Sequence, residues 1–198
     1  MGVVSIHNVD HEAMVATMTA EDVVIVPAFG AETRLMKLIA ARGCMVVDTT
    51  CGDVMSVWKR VRQYAKTGFT SIIHGKASHE ETKATVSQAL SENGGTHYLV
   101  VFTLDETDYV CHYIRHRGNK EEFRKKFEGA YSPNFDPDQH LVSVGVANQT
   151  TMMKGETEEV QRRFERAMVD RYGRENLDSH FQKADTICGA TQDRQDAL

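Results

Sequence analysis

Residues 71–82 read SIIHGKASHEET, and this stretch decides the fold class. An unbroken run, Ser71 to Ile73, leads into a turn of small and polar residues, and a helix is predicted to begin near Glu80. Apolar runs without alternation are typical of strands that are covered on both faces, as in parallel sheets. The stretch therefore predicts a strand, a loop and a helix, the order found in α/β proteins.

The same pattern recurs along most of the chain. Four further apolar runs predict strands, at residues 23–26, 45–47, 98–101 and 142–146. Two sets of apolar residues recur at helical spacing, and each set shares one helix face: Val54, Val57, Trp58, Val61 and Tyr64, and Val160, Phe164, Ala167 and Met168. This alternation predicts an α/β fold, built from repeated small parallel-sheet units with right-handed crossovers.

One segment interrupts the alternation. Residues 129–140 (GAYSPNFDPDQH) contain two of the three prolines, so we expect an inserted loop there. The preceding stretch, Glu121–Phe127, is charged and places Phe123 and Phe127 four residues apart, which predicts a short surface helix.

A short repeat suggests how the units are arranged. Residues 48–52 (DTTCG) recur as residues 185–189 (DTICG), and each copy ends a predicted strand and precedes a helical stretch. Two equivalent cysteines at strand ends suggest homologous units that each direct one sulfur at a common centre. The sequence thus predicts the C-terminal part of a first unit at 1–51, a second unit at 52–184 and the start of a third at 185–198.

Both ends of the chain suggest a longer protein. Ordered pattern begins almost at residue 1, and the last predicted helix, from near Ala190, reaches Leu198 without a C-cap signal. We therefore expect the chain to be an internal piece, truncated at both ends.

Composition narrows the function classes. The chain has 198 residues, 41% of them apolar, which is enough for a buried core. A net charge of −5 without a basic patch argues against a nucleic-acid partner. We find no apolar run long enough to cross a membrane and no signal peptide, so we expect a cytoplasmic protein without a membrane partner. The four cysteines are widely spaced, which favours reduced thiols over disulfides.

The residues with chemical potential follow the predicted strands. In a doubly wound sheet, ligands bind beyond the carboxyl ends of the strands. Cys51, His79 with Glu81, residues 149–151 and Cys188 all occupy such places, and we expect them to converge on one edge. Turn and cap preferences explain the threonines there. They explain two cysteines, a histidine and a glutamate poorly.

The side chains at that edge differ in what they suggest. A helix N-terminus favours negative charge, so Cys51 and Cys188 suit thiolates that act as nucleophiles, redox partners or metal ligands. Cys44 and Cys111 are expected to be small apolar residues instead. A predicted helix near Glu80 presents amide groups that could bind an anion.

Five motifs, in order, carry a resemblance to a known family. They are VVIVPAFGAET, VDTTCGDVMSVWKRV, SIIHGKASHEETKAT, VANQTTMMKGETEEV and DTICGATQDRQDAL. Together, from about Asp22 to Leu198, they resemble hydroxymethylbutenyl diphosphate reductase, and most of all its longer branch from plants, cyanobacteria and some other bacteria. This iron–sulfur enzyme family catalyses the terminal step of the non-mevalonate isoprenoid pathway, giving isopentenyl and dimethylallyl diphosphate.

The resemblance implies roles for individual residues. The family holds a [4Fe–4S] cluster on three cysteines, and Cys51 and Cys188 match the second and third. His79 matches the histidine that binds the substrate diphosphate. Glu81 matches the glutamate that is the proton source, and Thr150 matches the threonine that relays the proton and contacts substrate. The resemblance also implies a ferredoxin or flavodoxin as electron donor.

The chain departs from the family pattern at three places. The first cysteine motif, G-F-C-x-G-V, is absent, and the S-S-N-S motif would lie beyond Leu198. Ala28-Phe29-Gly30 replaces the A-H-G sequence of many members, a change that the longer branch shares. With two cluster cysteines, we expect this chain alone to hold no stable cluster.

Three other functions remain open on the residues alone. The chain could be a non-catalytic α/β module that binds a diphosphate or a protein partner. It could be an enzyme with Cys51 or Cys188 as nucleophile. A zinc site of Cys51, Cys188 and His79 is a third reading, although the short-range ligand pairs of structural zinc sites are missing. The oligomeric state cannot be deduced from the sequence.

Overall fold

The computed structural model describes residues 3–5, 10–90, 96–184 and 189–197. Helices and strands alternate along these residues, as predicted. Their bounds are α1 His11–Ala16, β1 Val23–Val26, α2 Thr33–Ala41, β2 Met45–Asp48, α3 Gly52–Lys66, β3 Thr70–His74, α4 Glu80–Ala89, β4 Tyr98–Val101, α5 Leu104–His116, α6 Lys120–Lys126, α7 Pro137–His140, β5 Val144–Asn148, α8 Lys154–Tyr172, a 3₁₀ turn Arg174–Asn176, α9 Leu177–His180, β6 Phe181–Lys183 and α10 Gly189–Asp196.

The strands form two parallel sheets. β1 and β2 pair with each other, with Val23 opposite Met45 and Ile25 opposite Val47. The other four strands form one sheet in the order β4-β3-β5-β6. Every pairing between these strands is parallel, which confirms the predicted α/β class.

Helices cover both faces of the four-stranded sheet. Ile73 and Ala147 point to the face where α3 and α4 pack. Ile72 and Val146 point to the opposite face, which α5, α6 and α8 cover. All ten residues of β3 and β5 are buried, as the unbroken apolar runs predict.

The two predicted helix faces are present. On α8, the apolar set from Val160 to Met168 is fully buried. On α3, the valines and Tyr64 are buried, whereas Trp58 is half-buried, because its ring lies against Gly30 and its indole N–H donates to Thr85 Oγ1 at 3.2 Å.

The two-stranded sheet departs from the expectation of cover on both faces. Val23, Ile25, Met45 and Val47 lie on one face of this sheet and are all exposed, Ile25 at 64%. Val26 is buried on the other face, where Ile39 of α2 is also buried. No element of the described residues packs on the exposed face, so the prediction was wrong for these two strands.

The inserted segment at 129–140 is ordered by charge pairs and one short helix. Lys120 contacts Asp136 and Asp138 at 2.9 and 2.8 Å, and Pro137 begins α7. The predicted surface helix is α6, which begins and ends one residue earlier than predicted. Phe123 within it and Phe127 at its C-cap are both buried. None of the described helices has the length and apolar character that would let it span a membrane.

Candidate functional site

Glu81 and Thr150 form a buried pair between two neighbouring strands. Glu81 lies in the first turn of α4, after β3, and Thr150 follows β5. The backbone N–H of Thr150 donates to Glu81 Oε1 at 2.6 Å, and the Thr150 hydroxyl donates to Oε2 at 3.0 Å. β3 and β5 are paired, so their carboxyl ends place these residues side by side. The structure thus joins two of the predicted residues.

Burial raises the pKa of the Glu81 carboxyl above its ordinary value. The residue is 2% exposed, and removing a carboxylate from water disfavours its charged form. The two hydrogen bonds from Thr150 and the nearby His79 oppose this rise without cancelling it. A carboxyl group with a raised pKa is suited to donate a proton.

The neighbouring glutamate has a different environment. Glu80 is half-buried and forms an ion pair with Lys83, one turn further along α4, with 2.8 Å between Glu80 Oε1 and Lys83 Nζ. Glu81 faces the protein interior, so the ordinary preference for acidic residues in a first helical turn does not account for it.

His79 is the N-cap of α4. Its Nδ1 accepts the backbone N–H of Glu81 at 3.2 Å. With Nδ1 used as an acceptor, the neutral imidazole carries its proton on Nε2, which is then a donor. His79 is half-buried and lies two residues from Glu81. The geometry therefore fits a histidine that donates to an anion beside the carboxyl group.

Gln149 ties the loop after β3 to the loop after β5. Its side-chain oxygen accepts from the Lys76 N–H and from the Thr82 hydroxyl, both at 3.1 Å. Its amide nitrogen donates to Thr151 Oγ1 at 2.6 Å. A Cβ at Gly75 would come within 2.9 Å of Gln149 Cβ, so this approach requires glycine.

Sequence reasoning gave Gln149 and Gly75 no individual role. A glycine directly after the strand-end His74 was the available signal, because glycine there often marks a close approach of two chain segments. The partner segment could not be identified without the tertiary pairing of β3 with β5.

His74 is a fully buried histidine below the pair. Its Nδ1 lies 2.8 Å from Thr157 Oγ1. Burial lowers the pKa of His74, although the nearby Glu156 acts in the other direction. The lowered pKa favours the neutral form of this histidine, which lies in the buried sheet.

Cys51 lies at the carboxyl end of β2, in the other sheet. It is exposed and is the N-cap of α3, and its side chain makes no capping hydrogen bond. Its backbone N–H donates to Ala28 O at 2.8 Å, which holds it beside the loop after β1. Cys51 makes none of the hydrogen bonds that join His79, Glu81 and Thr150.

Of the two cysteines expected to be small apolar residues, one is buried and one is not. Cys111 is buried on α5, in agreement with a small apolar role. Cys44 is half-buried and its thiol donates to Thr19 O at 3.3 Å. Cys188 lies outside the described residues. Within those residues, no group of three or more His, Cys, Asp or Glu side chains could hold a metal ion.

The replacement of the A-H-G histidine is visible at the loop after β1. Phe29 lines a cleft of about 100 Å³ together with Glu80, so this loop adjoins the start of α4. Phe29 offers no hydrogen-bond donor at this place. His11 lines the same cleft.

Comparison with known proteins gives consistent matches. The profile of the family described as LytB protein matches residues 1–198. The chain is 55% identical over 177 residues to 4-hydroxy-3-methylbut-2-enyl diphosphate reductase of Thermosynechococcus vestitus, covering 89% of this chain and 42% of that protein. It is 51% identical over 183 residues to the Cyanothece protein of the same name, covering 92% and 44%. The chain thus spans less than half the length of these relatives.

Two solved structures have the same fold. One is (E)-4-hydroxy-3-methyl-but-2-enyl diphosphate reductase, described as the terminal enzyme of the non-mevalonate pathway, with TM-score 0.63 and 22% identity over 91% of this chain and 50% of that one. The other is the Plasmodium falciparum reductase, with TM-score 0.62 and 19% identity over 93% of this chain and 46% of that one. At these identities, the likeness supports the fold alone.

Proposed function

This chain belongs to the LytB protein family, and we propose that it forms part of a 4-hydroxy-3-methylbut-2-enyl diphosphate reductase. The enzyme would remove the allylic hydroxyl group of its substrate reductively and give isopentenyl and dimethylallyl diphosphate. The observation that carries the proposal is the buried Glu81 carboxyl, held by two hydrogen bonds from Thr150. The reductase name of the similar cyanobacterial proteins suggests the reaction class.

Glu81 would be the proton source. Its raised pKa keeps the carboxyl protonated to higher pH than an exposed glutamate, which suits a proton donor. The C–O bond would break as two electrons arrive from the outside donor, and the leaving oxygen would take up one proton and depart as water. A second proton would add to the remaining allyl anion at one of its two ends. The Thr150 hydroxyl, 3.0 Å from Glu81 Oε2, would hand the proton on and orient the substrate.

His79 would bind the diphosphate. Its Nε2–H and the N-terminal amide groups of α4 are donors of the kind that stabilise phosphate oxygens by charge-assisted hydrogen bonds. Phe29 at the loop after β1 would leave the diphosphate with fewer donors on that side. We infer that the substrate site would be rearranged relative to members that have histidine there.

Cys51 fits one ligand position of an iron–sulfur cluster. It is an exposed thiol at a helix N-terminus, the setting that favours a thiolate. Cys188 would be a second ligand, and the third would lie outside this sequence. When bound, a [4Fe–4S] cluster supplies electrons and an iron with an open coordination position. A ferredoxin or flavodoxin would supply those electrons.

The proposed units follow from the same assignment. Residues 1–51 would be the C-terminal part of a first α/β unit, 52–184 a second, and 185–198 the start of a third. Such units would surround a central cluster, each contributing one cysteine.

Iron and sulfide content after anaerobic reconstitution tests the cofactor. This chain and a version extended at both ends, to the length of the relatives, would be compared by visible absorption. We expect about four irons in the extended protein and no stable cluster in the chain alone. An extended protein without a cluster would contradict the proposal and favour a non-catalytic module or a thiol nucleophile.

Two neighbouring substitutions in the extended protein test the proton source. Glu81→Gln should leave the cluster spectrum unchanged and remove most turnover, because the amide keeps the size of the side chain and an acceptor oxygen for the Thr150 N–H but cannot supply the proton. Glu80→Gln is the matched control, since it removes a carboxyl that faces Lys83 instead. Equal turnover in the two variants would exclude Glu81 as the proton donor.

A further inference from the structure

Helix α3 carries an exposed stripe that differs from the rest of the molecule. Met55, Lys59, Arg62 and Lys66 are spaced four, three and four residues apart, so at about 100° per residue they form one row along the helix. The buried face, with Val57 and Val61, points the other way. All four side chains of the stripe are exposed, Met55 at 48%.

The stripe is positively charged although the chain is acidic overall. α3 contains four cations, the stripe's three and Arg60, and its only carboxylate, Asp53, lies in the first turn. Whole-chain counts are 23 Lys and Arg against 28 Asp and Glu. Within the described residues, no carboxylate forms an ion pair with these cations; Arg62 donates to the neutral Gln88 at 2.8 Å.

Some cations on other helices of the described chain form ion pairs across helices. On α8, Arg163 contacts Glu159 and Asp108, both at 2.6 Å. On α5, Arg115 contacts Asp170 at 2.7 Å. Like charges three and four residues apart destabilise a helix slightly, so an unpaired basic row has an electrostatic cost that an acidic partner would remove.

We propose that the α3 stripe, residues Met55, Lys59, Arg62 and Lys66, is the docking surface for an acidic electron-carrier protein. The inference rests on the proposed function, because that reaction consumes two electrons per substrate that an outside donor has to deliver. Complexes of electron carriers are small and depend on electrostatic steering, which one exposed basic helix face can provide.

The position of α3 relative to Cys51 fits this role. The helix begins directly after Cys51, the proposed cluster ligand. At about 1.5 Å per residue, Met55 lies about 6 Å and Lys59 about 12 Å along the axis from Cys51. A carrier seated over Met55 would bring its redox centre toward the cluster ligand, with the lysines at the edge of the contact.

Binding to the chain itself is the first test. A plant-type [2Fe–2S] ferredoxin would be titrated calorimetrically into the 198-residue chain and into Lys59→Glu/Lys66→Glu. We expect the dissociation constant to rise about tenfold or more, and wild-type binding to weaken as salt goes from about 0.01 M to about 1 M. Lys125→Glu is the control, because α6 lies on the opposite face of the four-stranded sheet.

Three outcomes of this titration would overturn the proposal: no binding by the wild type, equal weakening by the control, or equal affinity for a redox-inactive protein of the same net charge. Circular dichroism verifies that the variants fold, and Lys59→Gln/Lys66→Gln provides a milder form with a smaller expected effect.

Turnover of the extended, cluster-loaded protein separates this inference from the proposed function. Dithionite is a small-molecule reductant that needs no protein docking surface to reduce the cluster. Turnover with dithionite should therefore be equal in wild type and Lys59→Glu/Lys66→Glu, whereas turnover with ferredoxin should fall in the double variant. Equal loss with both reductants would overturn the docking role. Absence of turnover with dithionite in the wild type would instead contradict the proposed reaction.

Discussion

The two sheets of this molecule have similar apolar strands and very different surroundings. In the four-stranded sheet, β3 and β5 are buried at every residue between helices on both faces. In the two-stranded sheet, Ile25 and Met45 belong to equally apolar strands and are 64% exposed. The difference teaches that an unbroken apolar run predicts a strand with two apolar faces. It does not predict which helix, if any, packs on each face, because that depends on other parts of the chain.

Matched isoleucines give the largest expected contrast. Ile72→Ala removes a fully buried side chain of β3 and should lower the free energy of unfolding by about 2–5 kcal/mol. Ile25→Ala makes the same change on the exposed face of β1 and should cost less than about 1 kcal/mol. Urea denaturation of both variants measures the difference. Equal losses would show that the face of Ile25 is covered in solution.

Two glycines test the packing of α3 on the four-stranded sheet. A Cβ at Gly145 would meet the Tyr64 ring at 2.6 Å, so Gly145→Ala should destabilise by about 1–3 kcal/mol. Gly52, the first residue of α3, has no atom within 4 Å of its Cβ position, and Gly52→Ala should stabilise by about 0.4–1 kcal/mol. Thermal unfolding of the two variants measures both changes. An unchanged stability of Gly145→Ala would show that α3 packs loosely on the four-stranded sheet.

These contrasts explain how much the sequence could predict. Strand order in the chain, the buried faces of α3 and α8, and the parallel class follow from periodicity, because local spacing decides which side chains can share a face. The pairing of β3 with β5 has no local signal, so the Glu81–Thr150 hydrogen bonds and the bridge by Gln149 had to come from the structure. The exposed face of β1 and β2 was missed because the apolar run is the same in both sheets.

The buried Glu81 carboxyl, at the polar end of the four-stranded sheet, should have an effect of intermediate size on the pH dependence of stability. Burial raises the pKa of Glu81, so the folded state binds its proton more tightly than the unfolded state. The favourable contribution is therefore present below the unfolded pKa of about 4.3 and is lost as the pH rises through the folded pKa. As the pH rises from about 4 to about 8, Glu81→Gln should therefore gain stability relative to wild type.

Urea denaturation across that pH range measures the gain. Glu80→Gln serves as the control, because its carboxyl lies beside Lys83 and its loss removes a partly exposed ion pair. A constant difference between Glu81→Gln and wild type would show that the Glu81 carboxyl is solvated in solution and would weaken its assignment as a proton source.

The smallest expected effect belongs to His74, at the end of β3. Burial lowers its pKa, so the unfolded state binds the proton more readily than the folded state. The stabilising contribution is therefore present above the unfolded pKa of about 6.5 and is lost as the pH falls through the folded pKa.

His74→Gln keeps a polar partner for Thr157 and removes the titration, so its stability should fall less steeply on acidification than that of wild type. His97 and His140 also have lowered pKa values because of burial, and both remain in the variant, so the difference between the two pH profiles isolates His74. Identical pH profiles of wild type and His74→Gln would mean that the His74 ring is solvated at the end of β3. The burial of the sheet would then be complete only where helices cover it.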